Sequence, residues 1–185
     1  LSRDGGLLTP AQLPALSVAE LEKLSGMTYQ QRAVYVMGLF LNDFTAEELA
    51  GFADAAYGPA KFDTPAVAPV YTVDEKTHCL ELWHGPTCAF KDFALQMLPR
   101  LLPAAAKKCG VDKTVAILVA TSGDTGKAAL EGFHDVDGVR ICVFYPHGGV
   151  SQVQRAQMVT QEGSNVAVCA VYGNFDGAQT GVKNI

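Results

Sequence analysis

Apolar positions change their rhythm near residue 70 of the chain, and that change organises the reading of the sequence. Before it, apolar residues recur at helical spacing, as in Ala33, Val36, Met37 and Phe40. Three capping boxes mark helix starts there: Ser17 with Glu20, Thr28 with Gln31, and Thr45 with Glu48. In each, a hydroxyl accepts from a free helix amide while the acid or amide three residues on reaches back. "GPAKFDTPAVAPV" (58–70) then interrupts with three prolines, which fix φ and keep the preceding residues out of the helical basin. These signals predict a helical region over 1–70 and a second region over 71–185.

Beyond residue 70 short apolar runs alternate with helical stretches. "HCLELW" (78–83), "TVAILVA" (114–120), "VRICVFY" (139–145) and "NVAVCAV" (165–171) are predicted strands. Helices are predicted over 91–107, 125–134, 151–162 and 175–185. Apolar strands without alternation point to burial on both faces, and hence to the parallel sheet of an α/β fold. Ligands of such sheets gather beyond the carboxyl ends of the strands, so the loops that lead into the helices are where chemistry is sought.

The loop "HGPTCAFKDF" (84–93) sets Lys91 between Phe90 and Phe93. Aromatic cover and partial desolvation favour the neutral, nucleophilic amine, which can form a Schiff base. The alternative is a solvated lysine whose stem packs on a ring. In "ATSGDTGKAAL" (120–130), Thr121, Ser122, Asp124 and Thr125 offer hydroxyls and a carboxylate at a helix start. Gly123 and Gly126 let backbone approach a ligand, so the loop can cradle a carboxylate or phosphate; equally, Asp124 can serve only as a helix cap. Gly126-Lys127 is followed by Ala128, and position 121 is Thr, so this is not a Walker loop. In "YPHGGVSQVQRAQM" (145–158), Ser151 is a cap, and Arg155 four residues on is either a phosphate partner or a surface charge. His147 is open in the same way.

Composition narrows the class. With 185 residues, 49% hydrophobic and 18% charged, the chain can bury a core. Lys plus Arg number 14 against 19 Asp plus Glu, a net charge of -5 without a basic block, which argues against a nucleic-acid partner. No apolar run reaches the ~18 residues that span a bilayer. The five cysteines are scattered and form no C-x-x-C pair, and His78, His84 and His134 lack ligand spacing; reduced cytoplasmic thiols and no metal are expected. The chain opens on Leu1 and stops at "AQTGVKNI" in a helical pattern without a cap, so it reads as part of a longer protein.

Taken in order, "ELWHGPTCAFKDFALQ", "ATSGDTGKAAL", "YPHGGVSQVQRAQMVTQEG" and "VYGNFDGAQTGVK" resemble the threonine synthases of bacterial and fungal type. "SRDGGLLTP" and "FTAEELAGFADAAYG" resemble the N-terminal region of the same family. The resemblance implies a fold-type II, tryptophan synthase β-like enzyme dependent on pyridoxal phosphate, a carbon–oxygen lyase that converts O-phosphohomoserine and water to threonine and phosphate. It implies that Lys91 carries the cofactor as a Schiff base and that Asp124 stands near the cofactor ring, where related enzymes have Asn. It further implies that Ser122 and Thr125, with Thr121 and Gly123, meet the substrate carboxylate. His84 and Thr87 would line the pocket, and Arg155 would face the phosphate.

In that fold the loop gripping the cofactor phosphate comes later in the chain, and no candidate follows residue 173. The 185 residues alone are therefore expected to be inactive, with an incomplete parallel sheet and an exposed apolar face. Rival readings are a neighbouring enzyme such as threonine dehydratase or cysteine synthase, a lyase-like homologue acting on another phosphorylated amino acid, and a non-enzymatic anion-binding module.

Overall fold

The capping boxes read from the sequence close as hydrogen-bonded pairs in the computed structural model, which describes Arg3 and residues 6–185. Ser17 and Glu20 open α1 (Val18–Ser25), and Thr28 and Gln31 open α2 (Tyr29–Gly38). The Thr45 amide donates to Glu48 (2.8 Å) and the Glu48 amide to Thr45 Oγ1 (3.2 Å) at the start of α3 (Ala46–Tyr57). The Tyr35 hydroxyl donates to Glu20 (2.8 Å), tying α2 to α1, and Phe44 meets Phe52 edge-on at 5.7 Å. The chain divides into two compact units, Leu1–Ala55 and Ala56–Ile185. The proline-bearing stretch 58–70 lies in the second.

The second unit opens on an aromatic cluster. Phe62 stands 5.9 Å from Tyr57 and 5.3 Å from Phe93, and the Tyr57 hydroxyl donates to the Phe93 carbonyl (2.8 Å). Strands β1 (Val70–Thr72) and β2 (His78–Leu80) then pair antiparallel, with Val70 opposite Leu80. Here the structure departs from the sequence reading. "HCLELW" supplies only three strand residues, all exposed, and they pair with their own neighbour instead of joining the parallel sheet. Asp74 explains the pairing: its carboxylate accepts from the Lys76 and Thr77 amides (2.8 and 2.9 Å) and closes the turn.

The helix expected over 91–107 is two, α4 (Asp92–Leu95) and α5 (Leu98–Lys108), with Pro99 in the first turn of the second, where its missing amide leaves no bond unmade.

The parallel sheet follows prediction closely: β3 (Val115–Ala120), β4 (Val139–Pro146) and β5 (Val166–Val171), in the order β3-β4-β5. Helix α6 (Asp124–Phe133) crosses from β3 to β4, and α7 (Gln152–Val159) from β4 to β5. Val139, Ile141, Val143 and Tyr145 face a core shared with Leu130, Phe133 and Met158. Each such side chain stabilises the fold by roughly 1.5–3 kcal/mol.

Within the described residues one face of the sheet is buried, and the opposite face is the exposed side expected of an incomplete sheet. The opposite face carries exposed Arg140, Ala167 and Cys169 and half-buried Cys142 and Phe144. Helix α8 (Phe175–Lys183) packs on β3 and β4 and ends on Asn184, the cap residue that the sequence reading missed. A cleft of about 450 Å³ separates α8 from Phe144 and Val171.

Candidate active site

The turn before Lys91 is built around a carboxylate hidden from solvent. Asp92 is fully buried and accepts from the Thr87 amide (2.9 Å), the Thr87 hydroxyl (2.7 Å) and, more loosely, the Ala89 amide (3.5 Å). Gly85 lets the turn close on it, since a Cβ there would stand 2.6 Å from Asp92 Cβ. Cys88 takes φ +56°, a left-handed conformation disfavoured for a residue with a side chain, and its amide donates to the Gly85 carbonyl (3.1 Å). Such strain persists only where neighbouring bonds over-determine it. The bonds to Asp92 do so, and Lys91 is thereby fixed at the mouth of α4.

Lys91 is half-buried, with its Nζ 4.5 Å from the centre of the Phe90 ring and no carboxylate partner among the described residues. The two flanking phenylalanines divide their work. Phe90 covers the ammonium from an exposed position, while Phe93 turns into the Tyr57 and Phe62 cluster.

Thr121 organises the second loop from inside. Its buried hydroxyl accepts from the Gly126 amide (2.9 Å) and the Gly123 amide (3.1 Å). Gly123 takes φ +153°, a conformation strained for any residue with a side chain, and a Cβ there would stand 2.5 Å from Gln154 Nε2. Asp124 does not cap α6; its carboxylate accepts from Gln154 Nε2 (2.9 Å) and lies 3.6 Å from Lys127 Nζ. Ser122 is exposed and Thr125 half-buried, so theirs are the loop hydroxyls open to a ligand. Arg155 is exposed on α7, and His147 lies 5.2 Å from the Tyr172 ring.

His84 is held between two carboxylates, Asp63 on Nδ1 (2.6 Å) and Glu81 on Nε2 (2.7 Å). Glu81 first, then Asp63, raises its pKa above the ordinary histidine value. With both ring nitrogens engaged, His84 acts in the structure as a clamp on the 81–84 segment. Thr87, likewise, spends its hydroxyl on Asp92.

The structure therefore brings the Lys91 turn, the Asp124 loop and the start of α7 into one polar chain: Thr87 to Lys127, Lys127 to Asp124, Asp124 to Gln154. Asp92, Lys127 and Gln154 were not singled out from the sequence. Among the described residues no three His, Cys, Asp or Glu side chains gather as a metal site, and no helix is long and apolar enough to cross a membrane.

A family profile described as the threonine synthase N terminus matches residues 1–57. Threonine synthase of Pseudomonas aeruginosa is 44% identical over 184 residues, which are 99% of this chain and 38% of that protein. That of Eremothecium gossypii is 37% identical, over 100% of this chain and 38% of its own length. A crystal structure of pyridoxal-phosphate-bound threonine synthase from Brucella melitensis superposes with a TM-score of 0.89 at 38% identity, covering 98% of this chain and 39% of that one. The chain thus spans about two-fifths of the length of the relatives it matches. Over its whole length the chain is similar, in sequence and in fold, to the N-terminal portion of threonine synthases.

Proposed function

We propose that the protein carrying this chain is a threonine synthase: with pyridoxal 5'-phosphate it converts O-phosphohomoserine and water to L-threonine and phosphate. The observation that carries the reading is Lys91, a half-buried primary amine without a carboxylate partner among the described residues, fixed on a turn built around buried Asp92. An amine so held, beside a loop of hydroxyls and a carboxylate at a helix start, suits an aldehyde cofactor. Lys91 and Asp124 would hold that cofactor, whose pyridine ring supplies the electron sink.

Lys91 Nζ, tethered beside the substrate, takes and returns the protons moved at the α and β carbons. Ser122 and Thr125 bind the substrate carboxylate through free hydroxyls and the α6 amides. Thr121 and Gly123 shape that cradle, their own polar groups being joined to each other. His84 and Thr87 set the wall of the pocket, and Arg155 offers a guanidinium to the substrate phosphate. In this reading residues 71–185 carry the reacting loops and residues 1–70 the helical region before them. All five cysteines are free thiols, which supports a cytoplasmic setting.

The test is borohydride reduction of the full-length protein with the cofactor, followed by mapping of the modified peptide and assay of phosphate release. One pyridoxyl group on Lys91, lost in Lys91→Ala, with phosphate released from O-phosphohomoserine, is expected. Labelling without phosphate release would move the assignment to a lyase of other specificity. Diffuse labelling or none would reject the cofactor reading.

A further inference from the structure

Lys127 lies in the first half of α6 as a buried cation, 7% exposed, where lysine is rarely found. Its Nζ donates to the Thr87 carbonyl (2.8 Å), forty residues earlier in the chain, and stands 3.6 Å from Asp124 Oδ1. Beyond those two contacts the network branches. Thr87 is bonded through its amide and hydroxyl to Asp92, the neighbour of Lys91, and Asp124 accepts from Gln154 of α7.

Burying an ammonium costs several kcal/mol, and an apolar side chain of the same volume would serve the core as well or better. Lys127 thus contributes something other than core stability. Its two partners belong to the two turns assigned to the cofactor, one a backbone carbonyl and the other a carboxylate. Along the stem it fills space; at the tip it fixes one turn against the other.

We infer that Lys127 is a positioning residue that latches the turn before Lys91 to the turn carrying Asp124. The inference rests on the proposed function only for its purpose, since the latch itself is a property of the fold. Lys127 touches neither substrate nor cofactor in this account; it acts by holding Thr87, and through Asp92 the backbone at Lys91, at a set distance from Asp124.

The experiment is amide hydrogen exchange on the full-length protein, wild type against Lys127→Met and Lys127→Arg, with borohydride labelling of Lys91 as a second readout. Methionine keeps the stem's volume and removes the donor. Exchange about tenfold faster at both 84–91 and 121–126 is expected for it, with β4 and β5 still protected, because a hydrogen bond to a charged group is lost. Labelling of Lys91 should slow in parallel.

Unchanged exchange at 84–91, or loosening spread evenly through the sheet, would overturn the latch. Arginine retains the cation, so protection closer to wild type than in the Met variant supports the role of charge, and equal loosening refutes it. Should Lys127→Met not fold, Lys127→Leu, which also lacks the donor, is read against wild type by the same criterion. If wild-type Lys91 takes no label at all, the cofactor assignment falls while the exchange comparison still decides the latch.

Discussion

Replacing Asp92 tests the architecture around Lys91 most directly. The carboxylate accepts two short bonds from Thr87, at 2.9 Å from the amide and 2.7 Å from the hydroxyl, in a position closed to water. A hydrogen bond to a charged group contributes about 1.5–3 kcal/mol, so Asp92→Ala should weaken the turn by roughly 3–6 kcal/mol. Asparagine has the same shape and can keep both contacts. Its carbonyl accepts from the Thr87 amide while its NH₂ donates to the hydroxyl, which reverses its own role. The cost is then about 1–2 kcal/mol, the difference between charged and neutral bonds.

Each 1.36 kcal/mol is tenfold in an equilibrium constant, so opening of the Thr87 amide should rise by about 10²–10⁴ in the Ala variant and by about tenfold in the Asn variant. Native-state exchange at Thr87 and Ala89 measures it, and phosphate release by the full-length protein should fall in the same order. Equal effects of Ala and Asn, or none from either, would show that the bonds to Asp92 do not hold the turn.

Other outcomes follow from the same geometry. Gly126→Ala places a Cβ 2.5 Å from Thr121 Cγ2 and 2.8 Å from Val143 Cγ1. Both are stiff, branched side chains, so a loss of about 1–3 kcal/mol in chemical denaturation is expected. His84 has a folded-state pKa above its ordinary value of 6.5. Its ties to Asp63 and Glu81 therefore stabilise fully below about pH 6.5 and fade as pH rises through the higher folded value; His84→Gln should flatten that slope in denaturation curves taken from pH 6 upward. Glu20 is held down to about 2 by the Ser17 hydroxyl, the Ser17 amide and the Tyr35 hydroxyl, in that order. The helix start it secures should be firm above about pH 4.5 and loosen as pH falls toward 2, and Ser17→Ala should narrow that window by circular dichroism.

What the sequence disclosed and what it hid divide by distance along the chain. Ser17 and Glu20 lie within one helical turn, so both halves of the box are visible together, and the unbroken runs at 115–120, 139–146 and 166–171 carry their own evidence of strand. "HCLELW" misled because apolar content alone does not say which neighbour a strand will choose; a tight Asp74 turn made the local choice cheap.

At the proposed site, the phenylalanines beside Lys91 draw attention to it in the sequence, but nothing there shows what supports it. Asp92 reads as an ordinary first-turn acid, and Lys127 as a solvated residue after glycine. Thr87 lies five residues from Asp92 but forty from Lys127, and only the fold brings Lys127 to it. His84 shows the same limit, since Asp63 stands 21 residues before it in the chain.

The strand order of the parallel sheet is also its order in the chain, β3 beside β4 beside β5. A polypeptide emerging from the ribosome therefore never has to wait for a distant partner. When β4 appears, β3 is already there to receive it, with α6 folded between; when β5 appears, it adds to the edge β4 has left open. Each loop closed is a single crossover, the shortest that a parallel pair permits. This part of the sheet can be laid down in the direction of synthesis, and Leu130, Ile141 and Met158 enter their common core in the order in which they are made.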